Sequence, residues 1–322
     1  MSKSGDQAFR VNSNSEIWPE MTYGGALSFL RRRYSRALEN VDVVVSGIPY
    51  DASVTNRPGC RFGPRAIREA STQLSELSSF PFGFDLFEHL NVIDWGDCMI
   101  DPHHPDNVLD TILLHARHII NSNCRMLTFG GDHLVSYPLI KAHAEKYGPV
   151  ALLQFDAHCD TWSDDGTRMD HGTMFARATS EGIINVEKSV QIGLRTQNDS
   201  DMGFEILTAP WVHRNGVSAA IDVILNRVKG CPLYISFDID GLDPAFAPGT
   251  GTPVVGGLAT WQALEILRSL SDLNLVGMDV VEVSPPYDHS EISALAAATV
   301  SHDWLCLLAK KAGAVSNIVG RL

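Results

Sequence analysis

The sequence predicts an α/β fold with a mostly parallel, eight-stranded sheet, and three observations predict it. Short apolar runs alternate with helix-period segments along most of the chain, the pattern of successive right-handed βαβ units. Some runs, such as Pro149-Val150-Ala151-Leu152-Leu153-Gln154-Phe155, are almost continuously apolar, as strands covered on both faces are. Acidic residues and histidines gather where the runs end, and open α/β sheets bind ligands beyond the carboxyl ends of their strands.

In chain order, residues 1–40 read as an N-terminal arm with one short helix. Residues 41–322 read as a single domain, because no repeat, linker or break in composition divides them. Asp42 to Ile48 is the first strand, stopped by Pro49. Gly59 to Arg68 is a Gly/Pro turn entering a helix, with Pro64 in its first turn. Asn91 to Trp95 is the second strand, and residues 107–122 have helical apolar spacing. Arg125 to Phe129 is the third strand; Gly130-Gly131-Asp132-His133 follows, and Pro138 to Tyr147 suits a helix. The run ending at Phe155 is the fourth strand, Ser189 to Gly193 the fifth and Glu205 to Thr208 the sixth. A helix over 218–229 precedes the seventh strand, Pro232 to Phe237. Ala259 to Ser269 is a helix, Asn274 to Val281 the eighth strand, and a last helix runs from about Ser290 through Lys311.

Composition narrows the function. Apolar residues make up 44% of the chain and charged residues 20%, the balance of a soluble globular protein. Cysteines 60, 98, 124, 159, 231 and 306 form no CxxC pair, which predicts free thiols in a cytoplasmic setting, with neither a disulfide framework nor a thiolate zinc site. The net charge of −13 argues against nucleic acid and membrane partners and suits a small cationic substrate. No stretch reaches the roughly 18 apolar residues of a membrane span, and the N-terminus lacks the apolar core of a secretory signal. The basic tract Arg31-Arg32-Arg33-Tyr34-Ser35-Arg36 reads as a solvated or subunit-facing helix.

The chemistry concentrates at Asp156-Ala157-His158-Cys159-Asp160 and Asp238-Ile239-Asp240. Side chains alternate along an extended segment, so Asp156, His158 and Asp160 point one way, Asp238 and Asp240 likewise share a face, and Cys159 packs away as a small apolar residue. Carboxylates so placed repel unless a cation joins them. With His133 the candidate ligands are six, four of them carboxylates, whose charge balances two divalent ions; six residues cannot separately saturate two metals, so some carboxylates should bridge, and Asp156 and Asp238 are the natural bridges. An oxygen-rich set without thiolate favours manganese before zinc. Two such ions about 3.5–4 Å apart would hold a shared water as hydroxide near neutral pH.

Gly130-Gly131-Asp132-His133, Phe155-Asp156-Ala157-His158-Cys159-Asp160 and the segment Ser236 to Gly249 resemble the three signature blocks of the ureohydrolase family, the arginases, agmatinases and their relatives. The resemblance implies a three-layer α/β/α fold, a binuclear manganese centre, hydrolysis of a guanidine to urea and an amine, and a homotrimer or homohexamer. It implies that two Mn2+ per chain are held by His133, Asp156, Asp160 and Asp238 on one side, and by Asp156, His158, Asp238 and Asp240 on the other. It further implies that His171 is the proton shuttle, that Glu282 grips the guanidinium, and that Asp160 relays a proton to the leaving amine. Arginases place a Ser-Gly-Asn segment before this His-Gly, whereas this chain has Trp162 through Asp170. Asp170-His171-Gly172-Thr173-Met174-Phe175 and the Pro-Pro-Tyr-Asp after Glu282 are most similar to bacterial agmatinases, which implies agmatine as substrate. Asp164 and Asp165 could attract its second cation; Arg168 would serve the alternative, a guanidinobutyrase or guanidinopropionase. A one-metal deacetylase of the same general fold would carry fewer acidic ligands, and a non-catalytic relative would have lost one; this chain retains all six.

Overall fold

The structure is a computed structural model that describes residues 8, 21–75, 78–163, 166 and 169–318. Eight strands form one sheet: β1 (Val43–Ile48), β2 (Val92–Asp97), β3 (Arg125–Gly130), β4 (Ala151–Phe155), β5 (Val190–Ile192), β6 (Glu205–Leu207), β7 (Pro232–Asp238) and β8 (Asn274–Val281). Every pairing is parallel, and the spatial order is β2-β1-β3-β8-β7-β4-β5-β6.

The uninterrupted apolar runs have a direct cause. Leu153 and Phe155 of β4, with Ile235 and Phe237 of β7, enter one hydrophobic core. Leu152 and Tyr234, one residue out of step, enter the other. The first core is closed by α1 (Gly63–Ser71), α5 (Ala209–Asn215), α6 (Val217–Val228), α7 (Thr260–Arg268) and α8 (Ile292–Lys311). The second is closed by α2 (Val108–Ile120), α3 (Ser136–Tyr147) and α4 (Met174–Ser180). The result is the three-layer α/β/α architecture, with both sheet faces dry. Helix α8 is long and apolar enough to cross a membrane by composition, but 83% of its apolar window is buried in the protein, so it is a core helix.

Three expectations change. Helices α4 and α5 were not anticipated. α5 follows Thr208, read as the end of the sixth strand, whose hydroxyl instead accepts the Trp211 N–H at 3.3 Å and caps a helix with Pro210 in its first turn. The basic tract is not helical throughout, and only its far part is solvated: Arg31 and Arg32 are buried, while Tyr34 and Arg36 are exposed. A single turn spans Phe29–Arg31, the buried Arg31 guanidinium donates to the carbonyls of Met21 (2.7 Å) and Gly24 (2.6 Å), and Arg32 lies over the Phe87 ring at 3.6 Å. Backbone carbonyls of the arm thus recruit the Arg31 charge, which the sequence reading left to solvent or a subunit contact.

Candidate active site

The strand order brings the chemistry together. Strands β3, β8, β7 and β4 are consecutive neighbours in the sheet, so their carboxyl ends stand side by side. His133 follows β3, Glu282 follows β8, Asp238 ends β7 and Asp156 follows β4.

Each group is held by its own local turn. Asp132 receives the Leu134 N–H at 3.2 Å and the Ser53 N–H at 2.8 Å, and so caps the single turn His133–Val135 that presents His133. Gly131 allows that approach: a Cβ there would run into the Tyr50 backbone. The extended course expected for the acid clusters does not hold. β4 stops at Phe155, and Asp160 has a φ of 53°, in the left-handed region, so a loop folds the three side chains inward. β7 likewise ends at Asp238, whose carboxylate receives the Asp240 N–H at 2.8 Å and caps the turn Ile239–Gly241. Cys159 is fully buried, as expected of a small apolar residue.

All six candidate ligands converge. His133 Nδ1 lies 2.8 Å from Asp160, 3.1 Å from Asp156 and 3.2 Å from Asp238. His158 Nδ1 lies 3.1 Å from Asp240 and 3.4 Å from Asp156. Asp156 therefore belongs to both groupings, His133–Asp156–Asp238 and Asp156–His158–Asp240. The donor set fits divalent cations. His133 Nδ1 is buried with three carboxylates around it yet makes no well-directed hydrogen bond among the described residues, as a nitrogen lone pair awaiting a cation would. Burial pushes Asp238 and Asp240 up and Asp160 to about 7, while His158, despite burial, is drawn up to about 12 by Asp240 and Asp156. Asp156 moves the other way: burial would raise it, but His133 and His158 hold it low, so the two imidazoles supply the positive charge that the carboxylates lack.

Supporting contacts absent from the sequence reading fix these carboxylates. Gln154 Nε2 donates to Asp156 at 2.7 Å and is itself paired to Gln191, while the Ala157 N–H (3.0 Å) and the Thr252 hydroxyl (3.2 Å) donate to Asp240. Polar residues within an apolar strand, such as Gln154, were the available signal.

Glu282 completes the site. It is buried, with a φ of 62°, and its Oε1 receives the His133 N–H at 2.8 Å and faces His171 Nδ1 at 3.2 Å. Its Oε2 is buried and makes no well-directed hydrogen bond among the described residues, with the buried Cys60 thiol beside the carboxylate. His171 reaches Thr55 Oγ1 at 3.2 Å through its other nitrogen; burial alone would lower its pKa, but Glu282 raises it to about 9. A cavity of about 140 Å³ lies between His133, His158, Asp160, Trp162, His171 and Thr252. Asp164, Asp165 and Arg168, the candidates for the distal end of a substrate, lie outside the described residues.

Comparison with known proteins places the chain in a family. Residues 41–306 match the arginase family. An agmatinase of Chromobacterium violaceum is 59% identical over 309 residues, covering 95% of this chain and 96% of that one. A crystal structure of a hypothetical agmatinase from Burkholderia thailandensis superposes with a TM-score of 0.92 at 55% identity, covering 96% of this chain and 98% of that one. Proclavaminate amidino hydrolase from Streptomyces clavuligerus superposes with a TM-score of 0.86 at 38% identity, covering 90% and 99%. This chain belongs to the arginase family.

Proposed function

We infer that this arginase-family chain is an agmatinase, hydrolysing agmatine to putrescine and urea. The observation that carries the chemistry is Glu282 Oε2, a buried carboxylate oxygen that makes no well-directed hydrogen bond among the described residues, beside the crowded ligand cluster. A guanidinium is the cation whose planar N–H groups match such a carboxylate.

The residues that would hold two divalent ions, which we propose to be Mn2+, are His133, Asp156, Asp160 and Asp238 for one, and Asp156, His158, Asp238 and Asp240 for the other. Bound there, the ions supply an activated water at neutral pH and positive charge beside the reacting carbon. Glu282 receives guanidinium N–H groups at Oε2 and fixes the plane of the group. The water oxygen bonds to the guanidinium carbon, and the bond from that carbon to the aminobutyl nitrogen breaks. Asp160 relays the water's proton towards that leaving nitrogen. His171, whose Nδ1 faces Glu282 and whose Nε2 reaches Thr55, replenishes protons from solvent. Putrescine leaves as the amine, and urea keeps the carbon.

The same reading carries a homotrimeric or homohexameric assembly and a cytoplasmic setting, with which the six free cysteines agree. The test is urea release by manganese-loaded protein offered agmatine, arginine, 4-guanidinobutyrate and 3-guanidinopropionate in parallel. Strong preference for agmatine is expected. Preference for a guanidino acid would overturn the substrate, and no urea from any of them would overturn the reaction.

A further inference from the structure

Beneath the ligand cluster lies a buried polar chain that the reaction does not use. Asp279 stands within β8, an acid inside the apolar run Asn274-Leu275-Val276-Gly277-Met278-Asp279-Val280-Val281. It is fully buried, and among the described residues no salt bridge reaches it. The Tyr234 hydroxyl donates to its Oδ2 at 2.8 Å and the Ser236 hydroxyl to its Oδ1 at 2.7 Å. Ser236 Oγ in turn lies 2.8 Å from His133 Nε2, with Ser136 Oγ 3.4 Å away.

We propose that Asp279 is a positioning residue for the metal centre, acting through Ser236 to set which nitrogen of His133 carries the proton. Burial raises the Asp279 pKa, while His133 and the hydroxyls of Ser236, Tyr234 and Ser136 lower it; in the ionised form Asp279 only accepts, so the Ser236 and Tyr234 hydroxyls spend their single hydrogens on it. Ser236 then faces His133 with a lone pair, and Nε2 must be the donor. A neutral imidazole has one N–H, so Nδ1 is left as a lone pair, and Nδ1 is the atom that faces Asp156, Asp160 and Asp238. A buried carboxylate with two hydroxyl bonds and no paired cation is costly in isolation. Cations held through His133 offset that cost, which explains why an apolar strand keeps an acid at this point.

The inference rests on the two-metal reading above, and the experiment separates the two. Mn2+ bound per chain is measured across free Mn2+ concentrations for the wild-type protein, Ser236→Ala, Asp279→Asn and Tyr234→Phe, with folding checked by circular dichroism. In Asp279→Asn the new amide can donate to Ser236, turn its hydrogen towards Nε2 and drive the imidazole proton onto Nδ1. Both Ser236→Ala and Asp279→Asn are expected to weaken Mn2+ affinity roughly 10- to 100-fold at one of the two ions. Tyr234→Phe keeps the Asp279–Ser236 bond and is expected to change affinity less than either. A merely structural role would lower the melting temperature of the metal-free protein and leave the affinity of its folded fraction intact. Wild-type affinity in folded Ser236→Ala overturns the inference, and that variant decides alone if Asp279→Asn does not fold. Wild-type protein that takes up no Mn2+ overturns the metal reading and this inference with it.

Discussion

Replacing Glu282 by glutamine keeps the shape of the side chain and removes its charge, and the structure dictates how the amide will sit. The His133 N–H donates to Oε1 at 2.8 Å, so the glutamine carbonyl must occupy that place. The NH2 group then takes the position of Oε2, the buried oxygen that makes no well-directed hydrogen bond among the described residues. A donor there faces the N–H donors of the guanidinium. A hydrogen bond to a charged group contributes about 1.5–3 kcal/mol, so losing the paired interaction and opposing donor to donor costs about 4 kcal/mol. That predicts a fall of about 1,000-fold in kcat/KM. The assay is urea release from agmatine over a range of concentrations, with bound metal counted in the same preparation. Metal content is expected to stay at the wild-type level, because no candidate ligand changes. A variant within about tenfold of wild type, with its metal retained, would refute the assignment of Glu282 to the guanidinium.

Other outcomes follow from the same geometry. His171→Ala should retain metal and lose roughly 100- to 10,000-fold in turnover, the usual range for a general acid or base; unchanged turnover would remove His171 from proton transfer. Stripping divalent ions with a chelator should lower the melting temperature, because the buried carboxylates of Asp156, Asp160, Asp238 and Asp240 are left to one another, and a chelated protein that melts at the same temperature would contradict the metal reading. Gly131→Ala should cost about 1–3 kcal/mol in stability, read by chemical denaturation, since its methyl group meets the Tyr50 backbone. Burial holds His143, away from the site, down to about 4, so its contribution to stability is present above the ordinary histidine range near 6.5 and is lost as pH falls from there towards 4. That amounts to about 3 kcal/mol, and His143→Gln should flatten the fall in stability relative to wild type over that window, with parallel pH profiles as the refuting result.

Much of this site was legible because its donors come in local clusters. Asp156, His158 and Asp160 sit within five positions, Asp238 and Asp240 within three, each directly after an apolar strand. What misled was the backbone between them. Alternation along an extended strand accounts for a shared face, yet Asp160 reaches the cluster through a left-handed turn and Asp240 through the turn capped by Asp238. Gln154, Ser236 and Asp279 passed unnoticed because a single polar residue in a buried strand states that it has a partner without saying which. Helix α5 was missed for a simpler reason: Thr208 serves a strand end and a helix cap equally well until the chain beyond it is seen.

The layered α/β class was written in the alternation of continuously apolar strand runs with helix-period segments, and so was the chemical character of the ligand cluster, four carboxylates and two imidazoles. Tertiary structure alone decided that β3, β8, β7 and β4 are neighbours, an order the chain does not follow. That order joins Glu282 to the His133 backbone across 149 residues and leaves one oxygen of Glu282 buried without a hydrogen-bond partner among the described residues. Residue types are a local property, written position by position. Which strand ends meet depends on how crossover helices share the two faces of the sheet, and that is settled only when the whole core packs.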